Sequence, residues 1–101
     1  MKRTVVRYQI KADCVDENNR LLKDVFKELE AKGLDGVHYV TLQCGDGWYT
    51  HFTTVDNDGV NPITTLDSFK AYVAGVRDRC AAPPHQANDV TIVGNYRMIA
   101  G

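Results

Sequence analysis

The period of the apolar positions changes along this 101-residue chain, and each change marks an element. From Thr4 to Ala12 apolar and polar residues alternate. Val6, Tyr8 and Ile10 fall on one side and Arg7, Gln9 and Lys11 on the other, the pattern of a strand with one buried face. From Asn19 to Lys32 the spacing turns helical, and Leu21, Leu22, Val25, Phe26 and Leu29 make one apolar stripe. Asp16 is placed to cap this helix, and Gly33 to end it in the left-handed conformation. The period returns to two over Gly36–Cys44, where Val37, Tyr39 and Thr41 oppose His38, Val40 and Leu42. A third strand, Trp48–Val55, follows the Cys44-Gly45-Asp46-Gly47 turn directly, which predicts an antiparallel hairpin.

The polar stretch Asp56–Thr65 is the longest connection. After it Leu66, Phe69, Tyr72, Val73 and Val76 recur at helical spacing, with Thr64 or Thr65 as the cap. Pro83-Pro84 stops that helix, and Val90–Met98 alternates again as a closing strand. The order βαββαβ predicts one ferredoxin-like α+β domain over residues 1–101, a four-stranded antiparallel sheet with two helices on one face. The opposite face is expected to be mixed. Val37, Tyr39, Val55 and Val93 sit there among Arg7, Gln9, Gln43, His51 and Asn95, which predicts a homodimer packed through this open sheet face. A domain this small buries a thin core, and a partner subunit would help it.

Composition narrows the function classes. Hydrophobic residues make up 44% and charged residues 25%, with a net charge of −1. That balance offers no electrostatic footprint for nucleic acid or an acidic membrane. The same topology serves RNA recognition, and Trp48 to Phe52 falls where stacking aromatics would lie, but the basic surface is missing. Apolar runs are too short to span a bilayer. Three cysteines without a CxxC spacing argue for free thiols and a cytoplasmic protein.

The Asn19–Lys32 helix, the Gly33-Leu34-Asp35-Gly36 turn into the second strand and the hairpin ending in Trp48-Tyr49 together resemble the dimeric α+β barrel superfamily. The helix from Leu66 and the closing strand through Asn95-Tyr96-Arg97 complete the likeness. The resemblance implies two subunits joined sheet to sheet, with a pocket between each sheet and its own helices. Members that resemble antibiotic-biosynthesis monooxygenases oxidise aromatic substrates there, some without a cofactor. Others degrade haem, isomerise or decarboxylate small molecules. Such pockets commonly combine an Asn, a Trp and a His or Tyr. Trp48 fits that pattern, whereas the first strand departs from it, carrying Arg7 and Gln9 and no Asn.

Among titratable residues, His38 shares a predicted face with Val40 and Leu42, directed at the helix-side pocket, and is the candidate acid/base. His51 alternates to the other face, where it is expected at the dimer contact. Tyr8, Trp48, Phe52, Tyr72 and Tyr96, with the loop residue His85, are the candidate lining of a pocket for a small aromatic ligand. Cysteine and histidine spacings give no metal site, and no motif calls for a cofactor. The reading that follows is a pocket enzyme, monooxygenase-like or isomerase-like. The alternative is a dimer that binds a small molecule without turning it over.

Overall fold

The computed structural model describes residues 1–99. Strands β1 (Lys2–Gln9), β2 (Val37–Gln43), β3 (Trp48–Val55) and β4 (His85–Ala87) form one sheet in the order β2-β3-β1-β4, every neighbour antiparallel. Helices α1 (Val15–Lys32) and α2 (Asp67–Ala74) lie side by side over it, and a further helical turn α3 (Val76–Arg79) follows a break at Gly75. This is the ferredoxin-like α+β fold. No helix among the described residues is long and apolar enough to cross a membrane.

Packing between sheet and helices fixes the layers. Leu22 and Val25 of α1 meet Tyr8, Ile10 and Tyr49 from the sheet and Tyr72 from α2 in the buried core. Gly33 ends α1 with φ 55°, and its N–H donates to the Leu29 carbonyl at 2.9 Å. The helix starts earlier than its apolar stripe. Asp16 therefore sits in the first turn, facing the positive end of the helix dipole, and Cys14 holds the cap position. The caps of α2 also differ from the sequence expectation. Thr64 and Thr65 lie in a short 3-10 turn, Pro62–Thr65, and donate to the Asn61 and Pro62 carbonyls. The free N–H of Ser68 is taken instead by Glu28 of α1, whose carboxylate accepts from the Ser68 N–H at 3.1 Å and from its hydroxyl at 2.6 Å.

The β2–β3 turn needs glycine at position 47. Gly47 has φ 77°, and a Cβ there would stand 2.4 Å from the Ile10 carbonyl oxygen. That closeness ties the hairpin to β1, since the Ile10 N–H donates to the Gly47 carbonyl at 2.8 Å.

Register decides which side chains meet the helices. Thr41, His51 and Val6 form one cross-strand row, Gln43, Tyr49 and Tyr8 the next, and Tyr39, Thr53 and Thr4 a third. These rows face the helices. β1 keeps the parity read from its sequence, while β2 and β3 are reversed relative to it. Tyr39 and His51 lie under the helices, and His38, Val40, Trp48 and Phe52 lie on the other face. The closing strand also lies elsewhere than expected. Ala81 and Lys11 already bond Gln9 and Arg79 across the ladder, His85–Ala87 pair with Arg7–Val5, and Asp89 bridges Arg3. The free edge of β1 is then taken, and among the described residues Val90–Met98 pairs with no strand, with Val93, Tyr96 and Met98 exposed.

Candidate functional site

A cavity of about 830 Å³ opens between the sheet and the α2–α3 layer. Its walls are apolar where Val6, Val55, Ile63, Phe69, Val73 and Val76 meet. Its deep end is polar, made by Tyr8, Tyr39, His51 and Tyr72. An apolar chamber with a few converging polar groups is the ordinary form of a small-molecule site, and this volume lies within the usual range of such sites.

The polar end is one connected network around His51, itself only 6% exposed. The Tyr8 hydroxyl meets His51 Nε2 at 2.6 Å and the Tyr72 hydroxyl at 2.5 Å. On the far side of the ring, His51 Nδ1 bonds the Tyr39 hydroxyl, with Thr41 Oγ1 at 3.1 Å. Behind the tyrosines, Asn18 Nδ2 donates to the Tyr8 oxygen at 3.5 Å. Its own Oδ1 accepts from Arg79 Nε at 3.2 Å. Arg79 also donates to the Tyr72 carbonyl at 2.8 Å and lies over the Tyr72 ring. Apart from Tyr39 and Thr41, which share β2, each polar group comes from a different element, so only the folded sheet and helices assemble the set.

Proton counting gives the network a direction. Tyr39, neutral His51, Tyr8 and Tyr72 each carry one mobile proton, and three links join them in a row. When His51 is protonated on Nδ1, the Tyr39 hydroxyl proton is left over and Tyr72 offers a lone pair. When it is protonated on Nε2 and the links all turn, the free proton belongs to Tyr72. Both end residues line the cavity. The row thus presents a donor at one end and an acceptor at the other, and reverses when a proton passes along it.

Burial sets the charge state. Desolvation pushes the His51 pKa down to about 4, so the ring is neutral near pH 7. The same cause holds the Tyr8 and Tyr72 hydroxyls above the usual tyrosine value and lifts Tyr39 to about 12. The three tyrosines and the histidine are therefore uncharged at rest, with the Arg79 guanidinium as the cation behind them. Among the described residues, no three His, Cys, Asp or Glu side chains come together as a metal would need.

Of the residues singled out in the sequence, Tyr8 and Tyr72 lie in the network. His38 is exposed on the opposite sheet face, in a row with Thr54 and Arg3, because strand parity exchanges it with Tyr39. Trp48 and Phe52 share that face, and Arg7 stacks 4.1 Å over the Trp48 ring. His85 is exposed on β4 between the cavity-lining Pro84 and Gln86. Tyr96, 79% exposed, lies beyond the last strand. Sequence reasoning passed over Tyr39, Asn18 and Arg79 and set His51 at a dimer contact. One signal for them was present: the odd positions of β2 and β3, Tyr39, Thr41, Tyr49, His51 and Thr53, concentrate hydroxyls around one imidazole.

Comparison with known proteins bears on the fold. No protein-family model and no curated protein matches the sequence. Solved structures do match. An antibiotic biosynthesis monooxygenase-like protein from Nitrosomonas europaea superposes with a TM-score of 0.74 at 14% identity, covering 91% of this chain and 99% of its own. One from Caulobacter crescentus gives 0.72 at 17%, covering 90% and 89%. A conserved protein from Methanosarcina mazei gives 0.71 at 19%, covering 86% and 88%. At these identities the likeness is one of fold.

Proposed function

We propose that the protein is an enzyme that moves a proton on a small aromatic molecule held between the sheet and α2–α3, an isomerase-like activity without a metal. The observation that carries this is the Tyr39–His51–Tyr8–Tyr72 row, whose two ends both border the cavity. A ligand atom beside Tyr72 gives up its proton to the Tyr72 oxygen. Tyr72 passes its own proton to Tyr8, Tyr8 passes its proton to Nε2, and Nδ1 passes one to Tyr39. Tyr39 then delivers its proton to a second ligand atom. One proton enters and one leaves, so the ligand is isomerised and no charge remains on the protein. Exchange with water at the cavity mouth restores the starting direction. The low pKa of His51 suits a relay, because the ring hands a proton on and does not store it. Arg79, bonded behind Tyr72, favours negative charge as it builds on the ligand.

The names of the structural neighbours support a second reading of the same deprotonation. The carbanion left at an aromatic CH2 group is oxidised by dioxygen, CH2 and O2 becoming C=O and H2O. Phenylpyruvate in D2O tests the shared first step. Deuterium entering its benzylic carbon faster with protein than without, and at the background rate with His51→Gln, is the expected result. Binding without any exchange would leave a ligand-binding protein that is not an enzyme.

The protein is further proposed to form a homodimer through the sheet face opposite the helices. Val40 and Leu42, 44% and 54% exposed, lie there beside Val5 and Phe52. The unpaired, alternating Val90–Met98 segment supports the same partner, since a second copy would offer it a strand. Free Cys14, Cys44 and Cys80 support a reducing, cytoplasmic setting.

A further inference from the structure

We infer that Asn18, its amide oriented by Arg79, is the positioning residue that keeps the Tyr8 proton inside the row. The inference rests on the proton transfer proposed above and adds what directs it. Both Asn18 and Arg79 are buried. A guanidinium donates and cannot accept, so Arg79 decides which end of the Asn18 amide it faces. Its Nε donates to Asn18 Oδ1 at 3.2 Å, which turns Nδ2 toward the Tyr8 hydroxyl, 3.5 Å away. The opposite amide orientation would set donor against donor. Arg79 is itself fixed in place. Its Nη2 donates to the Tyr72 carbonyl at 2.8 Å, and its own carbonyl accepts from the Lys11 N–H at 2.9 Å. Gly75, where α2 breaks, leaves room for the guanidinium, since a Cβ there would stand 3.0 Å from Arg79 Nη1.

Proton counting shows what this orientation does. The Tyr8 oxygen has one proton and two lone pairs. Among the described residues its hydroxyl meets His51 Nε2 at 2.6 Å, the Tyr72 hydroxyl at 2.5 Å and Asn18 Nδ2. An amide N–H gives the Tyr8 proton nothing to bond, and it takes up one lone pair. Tyr8 must then donate to one of His51 and Tyr72 and accept from the other. Those are the two directions of the row. An oxygen turned toward Tyr8 from position 18 would draw the Tyr8 proton out of the row. Tyr8 would accept from both His51 Nε2 and Tyr72, and Tyr39 would donate inward to Nδ1. Both ends would then face the cavity as acceptors, with no proton to deliver. The 3.5 Å contact is long, but the effect needs only that no acceptor stands there.

Asn18→Asp tests this, because the carboxylate keeps the shape, pairs with Arg79 and presents an acceptor to Tyr8. The side-chain ¹⁵N spectrum of His51 at pH 7 is expected to shift toward the Nε2-protonated ring. Deuterium exchange on phenylpyruvate should fall by about 10²-fold, as in His51→Gln, with phenylpyruvate still bound. A merely structural Asn18 would not move the His51 protons between nitrogens. Any other change in the ring, or none, would overturn the inference, and so would exchange at the parent rate. The parent protein gives a second reading that needs no variant. Its Asn18 amide protons are expected to show stronger nuclear Overhauser effects to the Tyr8 ring than to the Arg79 Nε–H, and the reverse would overturn the orientation. A parent that exchanges no deuterium would overturn the proposed function, and the His51 spectrum of Asn18→Asp would still decide what Asn18 does.

Discussion

His51 and Tyr8, on neighbouring strands and 43 positions apart in the chain, share a 2.6 Å hydrogen bond at the buried end of the cavity. That bond is the centre of the proton row, and it exists because β1 and β3 pair with Val6 opposite His51. Replacing His51 with Gln keeps a hydrogen-bonding side chain but cannot take a proton on one side and release it on the other. Proton exchange on phenylpyruvate is expected to fall by about 10²-fold or more, the usual contribution of a positioned acid–base group. NMR-detected deuterium uptake measures it, and the amide spectrum reports that the fold is kept.

The depressed His51 pKa predicts how stability follows pH. Folding holds the ring neutral down to about pH 4, whereas the unfolded chain protonates it near 6.5. Between those values the unfolded state binds more protons, so stability from this group is full above pH 6.5 and falls as pH drops through the window. The loss amounts to about 3 kcal/mol by pH 4. Urea unfolding at stepped pH should show this slope in the parent, and a flatter curve in His51→Gln.

The fold was legible from period alone wherever one face of an element is plainly apolar. The α1 stripe and the alternation of β1 fall into this class, and the glycine turn fixed the hairpin. The site was less legible, for a physical reason. β2 and β3 carry large apolar residues at both parities, Val37 and Tyr39 against Val40 and Leu42, Tyr49 and Val55 against Trp48 and Phe52. A sheet that is apolar on both faces does not announce which one the helices cover. The answer lies in long-range register, and with it the choice between His38 and His51. The closing strand failed for a related reason. Alternation in Val90–Met98 reports a strand-forming segment, but the end of β1 decides whether a ladder remains for it.

Gly47→Ala should destabilise the protein by about 1–3 kcal/mol, through its positive φ and the clash at Ile10. The added methyl would stand 2.4 Å from the Ile10 oxygen, so the hairpin must pull away from β1. Urea denaturation gives the value. An equal substitution at Gly45, where nothing lies within 4 Å, should cost less.

If the open sheet face joins two copies, Leu42→Asp puts a charge into the interface and should yield monomers. Sedimentation velocity would then give twice the 11.3 kDa chain mass for the parent and the single mass for the variant. A parent that sediments as a monomer at micromolar concentration would rule that partner out.

Glu28 of α1 caps the first turn of α2 through Ser68, and these bonds hold its carboxyl below the usual carboxylate range. A depressed acid stabilises above its unfolded pKa and loses that contribution as pH falls through the folded one. Glu28→Ala should therefore lower Tm at pH 7, and lower it less as pH falls below the usual carboxylate range. Differential scanning calorimetry across that range measures this.

The most direct test is the side-chain ¹⁵N spectrum of His51 at pH 7, with and without saturating phenylpyruvate. The account predicts a neutral ring, one nitrogen protonated and one bare, whose balance shifts when the ligand engages Tyr39 or Tyr72. A charged ring, or a spectrum unchanged by bound ligand, would contradict it.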